Sequence, residues 1–137
     1  MADRYVLDTF ALVALFQDEP GAARVQELLN EATETTPVYL TAVNLGEVLY
    51  TIERRQGQHA ASDTLALIDT LPIDVRPVDR DLALRAARLK ATVRLGYADC
   101  FVAALADTLD ATVLTGDPDF SAVEDRIAIE WLPRRAT

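Results

Sequence analysis

The segment "YVLDTFALVALF" (residues 5–16) decides the architecture: a short apolar run, Tyr5–Leu7, ends in Asp8, and helix-forming residues follow at once. It reads as a strand, a carboxylate at its carboxyl end, and a helix. The same pattern returns in "TVLTGD" (residues 112–117), which is short, apolar and closed by Asp117. Between and after them, "VYLT" (residues 38–41) and "IDVRPV" (residues 73–78) are β-rich, and "IAIEWL" (residues 127–132) reads as a last, edge-like strand. Helical patterns fill the gaps. One follows Pro20 with Val25, Leu28, Leu29 and Ala32 on one side; others span Ala42–Arg55, closed by Gly57, and Ala60–Leu71. Asp79 caps a further helix with Leu82, Ala86, Leu89 and Val93 at helical spacing until Gly96, and a sixth runs over Ala98–Leu109. Strands alternating with helices predict an α/β fold, with a central parallel sheet of four to five strands and helices on both faces. In such sheets ligands bind outside the carboxyl ends of the strands, near the point where strand order reverses. Asp8 and Asp117 fall there.

The composition bounds what such a fold can do. At 137 residues the chain is one domain long, and half of it is hydrophobic and about a quarter charged, as in ordinary globular proteins. The longest apolar run, Phe10–Phe16, is far short of the roughly 20 residues of a membrane helix. The start "MADRYVLDT" carries no secretory pattern, and the single cysteine, Cys100, excludes an internal disulfide framework. A cytoplasmic protein is expected. The 22 acidic residues against 13 basic ones give a net charge of −9, which argues against holding nucleic acid by bulk electrostatics. All the basic residues except Lys90 are arginine, whose planar fork suits phosphate.

Four carboxylates fall where the crevice is expected: Asp8, Glu47, Asp99 in "ADCFVAALA", and Asp117, with Asp119 two residues further on. An Asp at a strand end or helix start is more often a cap or turn residue, and Glu47 lies opposite the apolar stripe of Leu45, Val48, Leu49 and Ile52, as a solvated residue would. Asp99 has small neighbours on its helix, Ala103 and Ala106, which leave room beside the carboxylate. Thr9 and Thr115 flank two of the acids and can bond a carboxylate or a bound water. At about 5 Å and an effective dielectric near 20, two carboxylates repel by roughly 3 kcal/mol, so a cluster of them calls for a divalent cation. Oxygen ligands without His or Cys select Mg²⁺ or Mn²⁺ over zinc, and the implied reaction is metal-assisted phosphodiester hydrolysis. Other chemistry is poorly supplied. His59 and Lys90 read as helix surface, Cys100 has no histidine in reach, and Gly116 is a lone turn glycine.

In this order, "VLDTFALVALF", "NLGEVLY", "YADCFVAALA" and "VLTGDPDF" closely resemble the PIN domain family, over essentially the whole chain. The resemblance implies a single PIN domain over residues 1–137, with Asp8, Glu47, Asp99 and Asp117 as an acidic quartet around Mg²⁺ or Mn²⁺. Asp8, Asp99 and Asp117 would be the metal ligands and Glu47 would orient the water, with Thr115 as the supporting hydroxyl and Asp119 in an outer position. The chain's length matches the compact members that act as VapC-type toxins, endoribonucleases cleaving RNA by metal-activated water. Such members pair into homodimers and are silenced by a cognate antitoxin. One departure stands out, since Phe10 occupies a position where the family often carries a small polar residue.

For the RNA, Arg54 and Arg55 beyond Glu47, and Arg85 with Arg88 one turn apart, are candidate phosphate contacts. The competing readings are a PIN nuclease of RNA processing or DNA flaps, a non-catalytic interaction module of the same fold, and an aspartate-nucleophile phosphatase or receiver domain. The last pair wants a lysine near the final strands, and none follows Lys90.

Overall fold

The computed structural model describes residues 3–134. Five strands, β1 (Tyr5–Leu7), β2 (Val38–Thr41), β3 (Asp74–Arg76), β4 (Thr112–Thr115) and β5 (Ile129–Trp131), form one sheet in the order β3-β2-β1-β4-β5. Every pairing is parallel. Six helices connect them: α1 (Thr9–Phe16), α2 (Ala22–Asn30), α3 (Ala42–Gln56), α4 (Gln58–Ile68), α5 (Arg80–Thr92) and α6 (Tyr97–Leu109). A 3₁₀ helix, Pro118–Val123, precedes β5. The predicted α/β architecture holds, with the upper count of five strands.

The strand sequences explain the layering. The central strands β1, β2 and β4 are apolar because a parallel sheet buries both faces, and successive side chains alternate between two cores. Val6, Tyr39 and Val113 point to the core completed by α5, α6 and the 3₁₀ helix, where Leu82, Ala86, Phe101 and Phe120 pack. Leu7, Leu40 and Leu114 point to the other, where Leu12, Val25, Val48 and Ile68 come from α1 to α4. The edge strands are less buried, as the "IDVRPV" and "IAIEWL" patterns require. Arg24 of α2 clamps one of them, donating from Nε and Nη2 to the Glu130 carboxylate at 2.6 and 3.0 Å.

Boundaries shift where backbone chemistry overrides side-chain periodicity. The helix expected over Ala60–Leu71 runs over Gln58–Ile68 instead. Gly57, at φ 96°, is the only residue between α3 and α4, a conformation open to glycine that lets the second helix begin at once. At the far end, Pro72 disfavours a helical Leu71, so the helix closes earlier. Asp79 caps α5 as expected, accepting the Leu82 N–H at 2.9 Å.

Ala103 and Ala106 do not flank open space beside Asp99. Both are buried, in a run from Cys100 to Ala106 that is covered throughout. Their small size brings α6 down onto the sheet. Among the described residues, no helix is long and apolar enough to cross a membrane.

This packing predicts that Ala103→Leu overfills the contact between α6 and the sheet and lowers unfolding free energy by about 1–3 kcal/mol. The same change at exposed Ala87 of α5 leaves it within about 0.5 kcal/mol. Urea denaturation of the two variants beside the unmodified protein checks the contrast.

Candidate active site

The strand order creates the site. From β1 the chain builds outward through β2 to β3, then returns across the sheet to place β4 on the other side of β1. The reversal lies between β1 and β4, where a crevice opens at the carboxyl ends. These strands pair with Leu7 opposite Leu114, so the next residues along, Asp8 and Thr115, come level. The Thr115 hydroxyl donates to Asp8 Oδ2 at 2.5 Å, and the Ala11 N–H donates to Oδ1 at 2.9 Å as Asp8 caps α1. Thr115 Oγ1 also accepts the Asp117 N–H at 2.9 Å, and Asp117 Oδ1 accepts the Asp119 N–H at 3.0 Å, capping the 3₁₀ helix. One threonine thus ties two strand ends together.

A second network fixes Glu47. Thr41, the last residue of β2, caps α3 by accepting the Asn44 N–H at 3.0 Å, and its hydroxyl bonds Asn44 Oδ1. Asn44 Nδ2 donates to Thr9 Oγ1 at 3.1 Å, and the Thr9 hydroxyl bonds Glu47 Oε1. The Tyr50 hydroxyl lies 3.4 Å from Glu47 Oε2. Helical periodicity alone reads Glu47 as solvated surface; the start of α1 beside α3 turns that face into a cleft wall. Asn44 is a residue the sequence reading missed. Its signal was present in the helix start "TAVN", a Thr cap followed three residues later by an amide.

The four acids line one cleft of about 340 Å³ together with Thr9, Phe10, Val13 and Arg55. Asp8 is 1% exposed, and burial is the main reason its carboxyl is pushed up to about 8. The bonds from Thr115 and Ala11 oppose that rise, and the charges of Asp99 and Asp117 add to it. The half-buried Asp99 is pushed up to about 7, first by burial and then by Asp117, Glu47 and Asp119. Exposed Asp119 therefore acts on the cluster through its field, while its backbone serves the cap.

Among the described residues no three His, Cys, Asp or Glu side chains form a ready-made metal cage. The donor chemistry nonetheless fits a hard divalent ion: the acidic ligands are oxygen throughout, the neighbouring carboxylates add to the upward push on Asp8 and Asp99, and Mg²⁺ characteristically keeps several of its waters.

Of the arginines, Arg55 lines the cleft and Arg54 stacks over the Tyr50 ring, 5.2 Å from its centroid. Arg85 and Arg88 lie elsewhere, in a groove between α5 and α6 that Arg126 also lines. Arg85 donates to Asp81 at 2.9 Å on its own helix. His59 is exposed, and buried Cys100 bonds the Leu95 carbonyl, so neither joins the acids.

Phe10 explains the glycine of the 115–117 turn. A Cβ on Gly116 would stand 2.3 Å from Phe10 Cε1 and 2.5 Å from Cζ, so the ring occupies the space a side chain would need.

The PIN domain family model matches residues 5–126. The ribonuclease VapC5 of Mycobacterium tuberculosis is 28% identical over 126 residues, covering 91% of each chain. Among solved structures, VapBC-5 from Mycobacterium tuberculosis matches with TM-score 0.61 and 26% identity over 96% of this chain and 98% of that one. VapBC2 from Rickettsia felis, bound to a promoter DNA fragment, matches with TM-score 0.74 over 95% and 99%; at 15% identity that is a likeness of fold.

Two predictions follow from this geometry. The unfolded carboxyls titrate near 4, so from about pH 4 up to about 8 for Asp8 and about 7 for Asp99 the folded groups hold protons that the unfolded chain has released. In EDTA, stability conferred by these groups is therefore greatest at the acid end and is lost as pH rises through 7 to 8. Asp8→Asn flattens that decline in a series of thermal melts. Separately, Gly116→Ala destabilises by about 1–3 kcal/mol by displacing the Phe10 ring, and Phe10→Ser in the same chain recovers most of the loss, as a double-mutant cycle reads out.

Proposed function

The chain belongs to the PIN domain family, and from that premise we propose that it is a divalent-metal-dependent endoribonuclease, the toxin of a VapBC-type toxin–antitoxin pair. The observation that carries the reading is the gathering of Asp8, Glu47, Asp99 and Asp117 in one cleft at the reversal of strand order, where Asp8 and Asp99 are hard to ionise without a counter-charge. The similarity to the ribonuclease VapC5 supports RNA as the substrate. In this reading residues 1–137 are a single PIN domain working in the cytoplasm.

Asp8, Asp99 and Asp117 would hold Mg²⁺ or Mn²⁺, which when bound supplies charge neutralisation on the phosphate and a more acidic water. The chain's own residues do the rest. Thr115 and the start of α1 fix Asp8, and Thr9, itself held by Asn44, fixes Glu47 to orient the attacking water. Arg55 faces the phosphate from the α3 side. Water adds in line at phosphorus and the bond to the 3′-oxygen breaks, leaving 5′-phosphate and 3′-hydroxyl ends. The solved structures from Rickettsia felis and Mycobacterium tuberculosis named above are of VapBC proteins, and the acidic cleft suits a basic segment of a cognate antitoxin; a homodimer completes the proposed assembly.

Purified protein is expected to cleave cellular RNA with Mg²⁺ or Mn²⁺ and not with EDTA, and Asp99→Asn to abolish cleavage while the thermal midpoint holds or rises. Unimpaired cleavage by Asp99→Asn would refute the assignment. Arg55→Ala is expected to weaken RNA binding and reduce the slope of log affinity against log salt by about one. An unchanged slope removes Arg55 from the phosphate path.

A further inference from the structure

We infer that Phe10 is a substrate-binding residue: its ring is a stacking surface for one nucleobase of the single-stranded RNA whose phosphate lies at the acidic cluster. The inference rests on the nuclease reading and adds to it the way the substrate is held.

Three observations converge. Phe10 directly follows Thr9, the residue that orders Glu47, and lies two residues after Asp8, so the helix start that carries the catalytic acid also carries the ring. The ring is half-buried, seated against the apolar core on one side and on Gly116 at its Cε1–Cζ edge, and it lines the cleft that holds the acids. Its position is thereby fixed, and a fixed aromatic surface takes a base at low entropic cost. Third, the cleft is a poor electrostatic host. Asp8, Glu47, Asp99 and Asp117 face Arg55, the one basic residue lining it among the described residues, in a chain of net charge −9. An anionic strand held there needs affinity that does not come from phosphate neutralisation, and stacking supplies it because every base has a π-face.

A ring serving only to fill space over Gly116 makes different predictions from one that stacks, and Phe10→Leu separates them because leucine fills the space without an aromatic face. Phe10→Tyr restores the face. The experiment maps the cleaved linkage with the unmodified protein, then places 2-aminopurine in turn at the positions flanking that linkage in a short RNA. Binding is followed by fluorescence in an Asp99→Asn background, with KM and kcat measured in the active background.

Quenching is expected at one flanking position, retained with Phe10→Tyr and lost with Phe10→Leu. KM is expected to rise about 10- to 100-fold for Phe10→Leu, the equivalent of one base stack, with kcat within a few-fold. Thermal melts confirm that each variant is folded. If Phe10→Leu keeps both the quench and KM while the unmodified protein cleaves RNA, the stacking inference is overturned and the nuclease reading stands. If the unmodified protein cleaves no RNA with either metal, the nuclease reading itself has failed, and the inference with it.

Discussion

Like charges crowded at the carboxyl ends of β1 and β4 are the constraint on which the site depends. Three of the four acids stand at helix starts: Asp8 caps α1, Asp99 lies in the first turn of α6, and Asp117 caps the 3₁₀ helix. Each helix end offers a carboxylate about 0.3–1 kcal/mol, whereas two carboxylates about 5 Å apart repel by roughly 3 kcal/mol at an effective dielectric near 20. The backbone dipoles explain why the acids can be built in, not why they can all be ionised together. Protons can relieve the crowding, and so can a divalent cation; Asp8 and Asp99 are pushed up first by burial and then by the neighbouring charges. A fold that keeps such a cluster next to a cleft stores an unmet demand for positive charge, and the proposed chemistry is one way of meeting it.

The sheet itself was legible because parallel strands announce themselves by continuous apolar character and by what ends them. "YVLD" and "TVLTGD" share both features, and the register that sets Leu7 against Leu114 turns a similarity of sequence into adjacency in space. Helix starts were legible where a side chain makes the cap, as at Asp79, and less so at α4, where Gly57 sets the start through backbone conformation alone. Cluster membership was a harder question. Asp8, Asp99 and Asp117 could be placed by their position at element ends, but Glu47 faces away from its helix's core stripe, and only the family resemblance moved it toward the site.

What periodicity could not supply was the set of contacts between side chains on different elements. Asn44 looks like an ordinary residue in a helix's first turn, yet it carries the link from Thr41 to Thr9 and so to Glu47. The sequence suggests that Ala103 and Ala106 leave room for a carboxylate; both are instead buried where α6 lies against the sheet. Phe10 and Gly116 form the clearest case. Neither is informative singly, and together they are a steric pair in which the aromatic ring requires the missing side chain. The large Phe10 ring is thus matched by a glycine across the strand switch.

That match bears on how an acidic protein could handle an anionic polymer. Its arginines are divided: Arg55 lines the cleft, whereas Arg85, Arg88 and Arg126 line a separate groove, and Arg24 is spent on Glu130. A nuclease that relied on phosphate neutralisation would place its arginines the other way, along the path to the acids. In the proposed reading the cleft offers oxygen donors for a cation, one guanidinium for a phosphate and one aromatic ring for a base. With so little positive charge to draw in any strand indiscriminately, discrimination falls to shape: an RNA whose unstacked base meets Phe10 while its phosphate reaches the acids would be favoured over one held by charge alone.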